Sequence, residues 1–167
     1  MGNKRECWKQ WMVLMLTLTL VLGMSAACRV NLQAASKGYI FTYKGANVRM
    51  GGKAKKLIKK AGEPEKKKVS KSCAYDGKDR TYQYKDFILY TYSKKDDGSE
   101  YVNGITFLTN QVVTKEGIRI GSSLEDVEKA YGKVKQELGV YNYVKGSCRL
   151  QIMVTDGKVS NIRYQKK

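Results

Sequence analysis

The chain has 167 residues, enough for one ordinary domain or two small repeats around a shared core and too few for anything larger. Its 32 lysines and arginines stand against 15 aspartates and glutamates, a net charge of +17 that bears on solubility, steering and attraction to polyanions and not on fold. There is no histidine, which removes the commonest general base, the commonest metal ligand and every histidine-dependent triad.

The first segment reads as a leader. Lys4, Arg5 and Lys9 precede an uncharged apolar run from Trp11 to Met24, and Ser25, Ala26 and Ala27 then supply small residues, the layout of a secretory signal over residues 1–27. The apolar run is shorter than the roughly 20 residues that span a bilayer. Met24-Ser25-Ala26-Ala27-Cys28 resembles the lipobox of bacterial lipoproteins, with Ser25 where leucine is usual. That resemblance implies an acylated Cys28 and a lipid anchor in the cell membrane, while Ser25-Ala26-Ala27 also suits ordinary signal peptidase and leaves a plainly secreted form open. Export changes the meaning of the charge: the polyanions outside a cell are wall polymers, lipid headgroups and acidic proteins, not nucleic acid. After processing, Cys73 and Cys148 remain as a pair. A disulfide between them would close a loop of about 75 residues and contribute roughly 4 kcal/mol, and two separate thiols are the alternative.

Beyond a linker over residues 28–44, Ala54, Leu57, Ile58 and Ala61 follow the spacing of one apolar helix stripe, ended by Gly62 and Pro64. Tyr82 to Tyr84, Phe87 to Tyr92 and Tyr101 to Leu108 then alternate as strands, with Asp97-Gly98 marking a hairpin. The pattern recurs. Leu124, Val127 and Tyr131 make a second helix stripe, started by Ser122 or Ser123 at capping-box spacing from Glu125 or Asp126 and ended by Gly132. Val140 to Val144, Arg149 to Val154 and Lys158 to Tyr164 follow as strands, with Asp156-Gly157 at the last hairpin.

Self-comparison ties the halves together. Val48-Arg49-Met50-Gly51 through Gly62 aligns without a gap with Ile118-Arg119-Ile120-Gly121 through Gly132, and Val102 to Phe107 aligns with Val159 to Tyr164. The first copy (45–110) is longer than the second (111–167), mainly by an insertion around Lys66 to Thr81. The expected fold is therefore α+β: two tandem repeats, each a short helix followed by a three-stranded antiparallel meander, with the sheets free to run side by side. Arg49-Met50-Gly51 through Gly62-Glu63-Pro64 and Arg119-Ile120-Gly121-Ser122 through Gly132 resemble the repeat of the SmpA/OmlA (BamE-like) envelope lipoproteins. In duplicate they look like the beta-lactamase inhibitory protein and the two-repeat lipoproteins of Gram-positive gut bacteria. The resemblance implies an envelope binding role and names no partner.

Two features carry candidate function. Lys53, Lys56, Lys60, Lys66, Lys67 and Lys68 belong to a dense basic tract, read either as a solvated helix face with a charged loop or as a contact for anionic polymer or headgroups. Tyr82, Tyr84, Tyr90, Tyr92, Tyr141 and Tyr143 recur in matched strands, read either as cross-strand packing or as an aromatic sheet face for a protein partner. No metal-ligand spacing, phosphate loop or catalytic constellation is present, so no cofactor is expected. The expected function is an exported noncatalytic binding module; a wall-polymer tether and a small histidine-free enzyme are the alternatives.

Overall fold

The computed structural model describes residues 38–96 and 98–167; the leader, Cys28 and Asp97 lie outside the described residues. These comprise β1 (Ile40–Tyr43), β2 (Ala46–Arg49), α1 (Lys55–Ala61), β3 (Lys66–Lys71), β4 (Lys78–Gln83), β5 (Phe87–Tyr92) and β6 (Tyr101–Phe107), followed by α2 (Leu124–Tyr131), β7 (Gln136–Glu137), β8 (Val140–Lys145), β9 (Cys148–Thr155) and β10 (Lys158–Lys166). Strands β1 and β2 form a hairpin. The other eight make one sheet in the order β3-β4-β5-β6-β10-β9-β8-β7, antiparallel throughout.

This corrects the expected pair of helix-plus-three-stranded units. Strand accounts for 47% of the structure and helix for only 12%, so the molecule is mostly β with two short helices. The insertion at Lys66 to Thr81 is no loop but β3 and most of β4, and β7 adds a strand at the opposite edge. At the middle, Ile105 of β6 pairs with Tyr164 of β10. A lone meander ending at β6 would leave a row of unpaired main-chain groups beside its best apolar residues, and pairing with β10 satisfies them.

One face of the sheet forms the core. Tyr82, Leu89, Ile105, Tyr164, Leu150 and Tyr143 are direct cross-strand partners in a row across six strands, and each is buried. The β1–β2 hairpin covers this row: Phe41 packs its ring 5.4 Å from Phe87, 5.8 Å from Phe107 and 6.1 Å from Tyr164. Leu57 of α1 and Val127 of α2 are fully buried in the same cluster, each contributing about 1.5–3 kcal/mol. Helix α2 carries a complete capping box between Ser123 and Asp126, as its sequence predicts. Helix α1 starts at Ala54 with no side-chain cap and is held by the burial of Leu57 and Ala54.

The two helix entrances match bond for bond. Gly51 N–H donates to Val102 O at 2.7 Å and Gly121 N–H to Val159 O at 2.8 Å. Val102 N–H returns to Gly52 O, and Val159 N–H to Ser122 O, both at 2.8 Å. The aligned Gly51 and Gly121 have φ of 79° and 92°, a region that side chains rarely tolerate. Asp156 and Gly157, with φ of 51° and 72°, close the two-residue turn between β9 and β10. The antiparallel β5 and β6 are joined through the longer segment 93–100. Ser93 at the start of that segment is drawn inward, its Oγ accepting from Lys78 N–H at 2.8 Å. At its end, Glu100 accepts from Tyr82 and Thr91.

Candidate binding surface

Half of the tyrosines expected to meet a partner are core residues. Tyr82 and Tyr84 are 4% exposed and Tyr143 is 3% within the core cluster, which withdraws them from any contact surface, while Tyr92, at 6%, is buried outside that cluster beneath Tyr75 and Tyr101. Tyr141 is half-buried against the same core, and Tyr90 is half-buried on the opposite face. The cause is register. The Lys85-Asp86 turn sets Tyr84 opposite Phe87, and the Gly146-Ser147 turn sets Tyr143 opposite Leu150. Tyr82, Tyr84, Tyr141 and Tyr143 therefore share the face of the apolar residues. Tyr82 donates to Glu100 at 2.9 Å, and burial followed by that bond pushes its phenol well above its ordinary range. Burial pushes Tyr84 up to about 12. The hydroxyls of Tyr84 and Tyr143, aligned positions in the two halves, have no hydrogen-bond partner among the described residues.

The cysteines do not meet. Cys73 is exposed between β3 and β4, Cys148 is buried at the start of β9, and both are free thiols. Four strand steps of roughly 4.8 Å each separate β4 from β9, far outside disulfide reach. Burial raises the Cys148 thiol to about 11, against the backbone bonds to Gln165 and Tyr39 that lower it.

The basic tract is organised by the sheet edge. All six residues of β3 are exposed, and β3 has a strand on one side only. Alternation sends Lys66 and Lys68 to one face and Lys67 to the other, where its Nζ lies 5.3 Å from the centre of the Tyr82 ring. Lys56 and Lys60 are exposed on α1, and Lys53 is exposed just before it. None of these lysines forms a salt bridge among the described residues.

The second face of the sheet is open: the hairpin and both helices place their buried residues in the core on the other side. Two rows cross it. Lys66, Gln83, Ile88, Thr106, Arg163, Gln151 and Asn142 are successive cross-strand partners, followed by Lys68, Thr81, Tyr90, Gly104, Gln165, Arg149 and Val144. Neither row contains a carboxylate. Gln151 Nε2 donates to Asn142 Oδ1 at 3.0 Å, and the Arg163 guanidinium lies 5.7 Å from the Tyr90 ring centre. Opposite Tyr90 stands Gly104, where a side chain would press to 3.6 Å from the Tyr90 ring and 3.0 Å from Tyr164 O. At one end Tyr92 stacks on Tyr75 with centroids 5.0 Å apart, and Tyr101 lies 5.6 Å from Tyr92.

Sequence reasoning missed Arg149, Gln151 and Arg163, because polar residues alternating with apolar ones look like any solvated strand face. Their signal was collective: the positions alternating with the core on β8, β9 and β10 carry arginine, amides and a few apolar residues such as Val144 and Met153, and no acid. No group of three or more potential metal ligands occurs among the described residues, and no described helix is long and apolar enough to cross a membrane. No family model, curated protein or solved structure matches the chain, so the BamE-like resemblance stands on residues 49–64 and 119–132 alone.

Proposed function

We propose that the chain is a noncatalytic extracytoplasmic binding module that holds an anionic polymer of the envelope through the lysines of β3 and α1. The observation that carries this is β3 itself, an edge strand whose four lysines are all exposed and have no salt-bridge partner among the described residues. Such charges also discourage edge-to-edge aggregation, and the two roles separate experimentally. The extracytoplasmic setting rests on the charged, apolar and small-residue layout of residues 1–27, with anchoring where Cys28 is acylated.

The test is binding of the full chain to purified wall polymer over a salt series. Affinity should fall steadily with rising salt, and replacing Lys66, Lys67 and Lys68 together by Gln should weaken it at low salt, at about 1 kcal/mol per lysine near the surface. If the triple variant binds as well as the wild type and merely self-associates, the lysines guard the edge and the proposal fails.

A further inference from the structure

The edge lysines explain attraction to negative charge but give no selectivity among polyanions. The open face of the sheet has the chemistry for that. Its two rows place Lys66, Lys68, Arg149 and Arg163 among amide and hydroxyl side chains without one carboxylate. A solvated strand face normally mixes both signs of charge; here the carboxylates of that face, Asp79 and Glu137, stand in the flanking rows, so the two central rows complement an anion. Amides and hydroxyls both donate and accept, as sugar hydroxyls do. Guanidinium groups match carboxylates in a two-pronged geometry that a lysine cannot supply. Tyr90 adds a half-buried aromatic ring, a flat surface against which the C–H face of a sugar can lie.

We propose that this open face binds a linear acidic polysaccharide whose sugars carry carboxylates, the chain crossing the strands so that Arg163 and Arg149 meet carboxylates and Gln151 meets hydroxyls. Strands about 4.8 Å apart present such side chains at nearly the advance of one sugar ring along an extended chain. A polyphosphate would engage the cations alone and leave the amides without hydroxyl partners. The proposal rests on the reading of the chain as a binder of anionic polymer and adds a second surface and a chemical class.

The test measures binding of the full chain to three probes: polygalacturonate, the same polymer with its carboxylates methyl-esterified, and inorganic polyphosphate. Polygalacturonate should bind best, and esterification should abolish most of that binding. Arg163→Gln and Arg149→Gln should each weaken polygalacturonate binding about tenfold, and Gln151→Ala should weaken it while leaving polyphosphate binding unchanged. Circular dichroism of each variant confirms an intact fold. Preference for polyphosphate, or open-face variants that bind polygalacturonate like the wild type, would overturn the open-face proposal while leaving the edge-lysine reading standing. Binding to no polyanion at all would sink both.

Discussion

The two faces of the eight-stranded sheet are made by alternate residues of the same strands, yet they differ in almost every physical property. On the covered face Leu89, Ile105, Leu150 and Tyr164 are 0% exposed; on the open face their strand neighbours Tyr90, Thr106, Gln151 and Arg163 remain half-buried or exposed. Tyrosine occurs on both. What places Tyr82 and Tyr84 in the core and Tyr90 on the open face is parity relative to the Lys85-Asp86 turn, not composition; Tyr92, on the face of Tyr90, is buried by Tyr75 and Tyr101 instead. Stability is therefore concentrated on one face, leaving the other free to carry recognition chemistry at little thermodynamic cost.

The sharpest way to break this comparison is a pair of neighbouring truncations. Leu89→Ala should destabilise by about 2–5 kcal/mol, the range for large-to-small core changes, whereas Ile88→Ala, one residue away on the open face, should lose about 1 kcal/mol or less. Urea unfolding of both variants measures the contrast; equal losses would show that the open face is packed as tightly as the core.

A second, broader effect is expected at alkaline pH. The folded-state values of Tyr84 and Tyr143 are raised above the ordinary tyrosine value of 10.0, Tyr84 to about 12. A raised value means that the protonated phenol is favoured by folding. Its contribution is fully present below pH 10 and is lost as pH rises through the folded-state value. Thermal unfolding should thus be insensitive to tyrosine ionisation up to about pH 10 and fall steeply above it. Ionisation of Tyr84 and Tyr143, read as the absorbance change missing from the Tyr84→Phe and Tyr143→Phe variants, should appear only as the fold is lost. Early ionisation of these two without unfolding would place them outside the core.

The smallest expected effect sharpens the distinction between a packed ring and a paired hydroxyl. Tyr143→Phe and Tyr84→Phe each delete a buried hydroxyl with no hydrogen-bond partner among the described residues. Each should change stability by about 0.5 kcal/mol or less, or raise it slightly, because an unmatched buried polar group is itself unfavourable. Tyr82→Phe should instead destabilise by about 1–2 kcal/mol, since it removes a hydroxyl donor to the Glu100 carboxylate and leaves only Thr91 and Arg80 beside it. Denaturant midpoints compare the three, and a loss at Tyr143 equal to that at Tyr82 would contradict the difference in their surroundings.

Much of the local structure was legible in the sequence. The helix stripes at Leu57 and Val127, the capping box of α2 and the Asp156-Gly157 turn all depend on residues within a few positions of one another. The alignment of Arg49-Met50-Gly51 with Arg119-Ile120-Gly121 also held down to individual hydrogen bonds, because a glycine with positive φ and a main-chain exchange with one later strand leave a compact mark. The strand at Lys66–Lys71 was hidden, since a lysine run has low strand preference and the strand exists through pairing with β4.

By itself, the sequence determined the order of helices and most strands, the strong positive charge and the absence of histidine chemistry, all of which follow from local spacing or composition. Only the tertiary structure decided that β6 and β10 join two halves into one sheet, that Tyr82, Tyr84 and Tyr143 face inward, and that Cys73 and Cys148 stand four strands apart. These outcomes depend on main-chain pairing between distant segments. Such pairing uses groups that nearly every residue possesses, so the partner's identity is scarcely written in either strand, while a one-residue change of register exchanges the face that is buried for the face that is free.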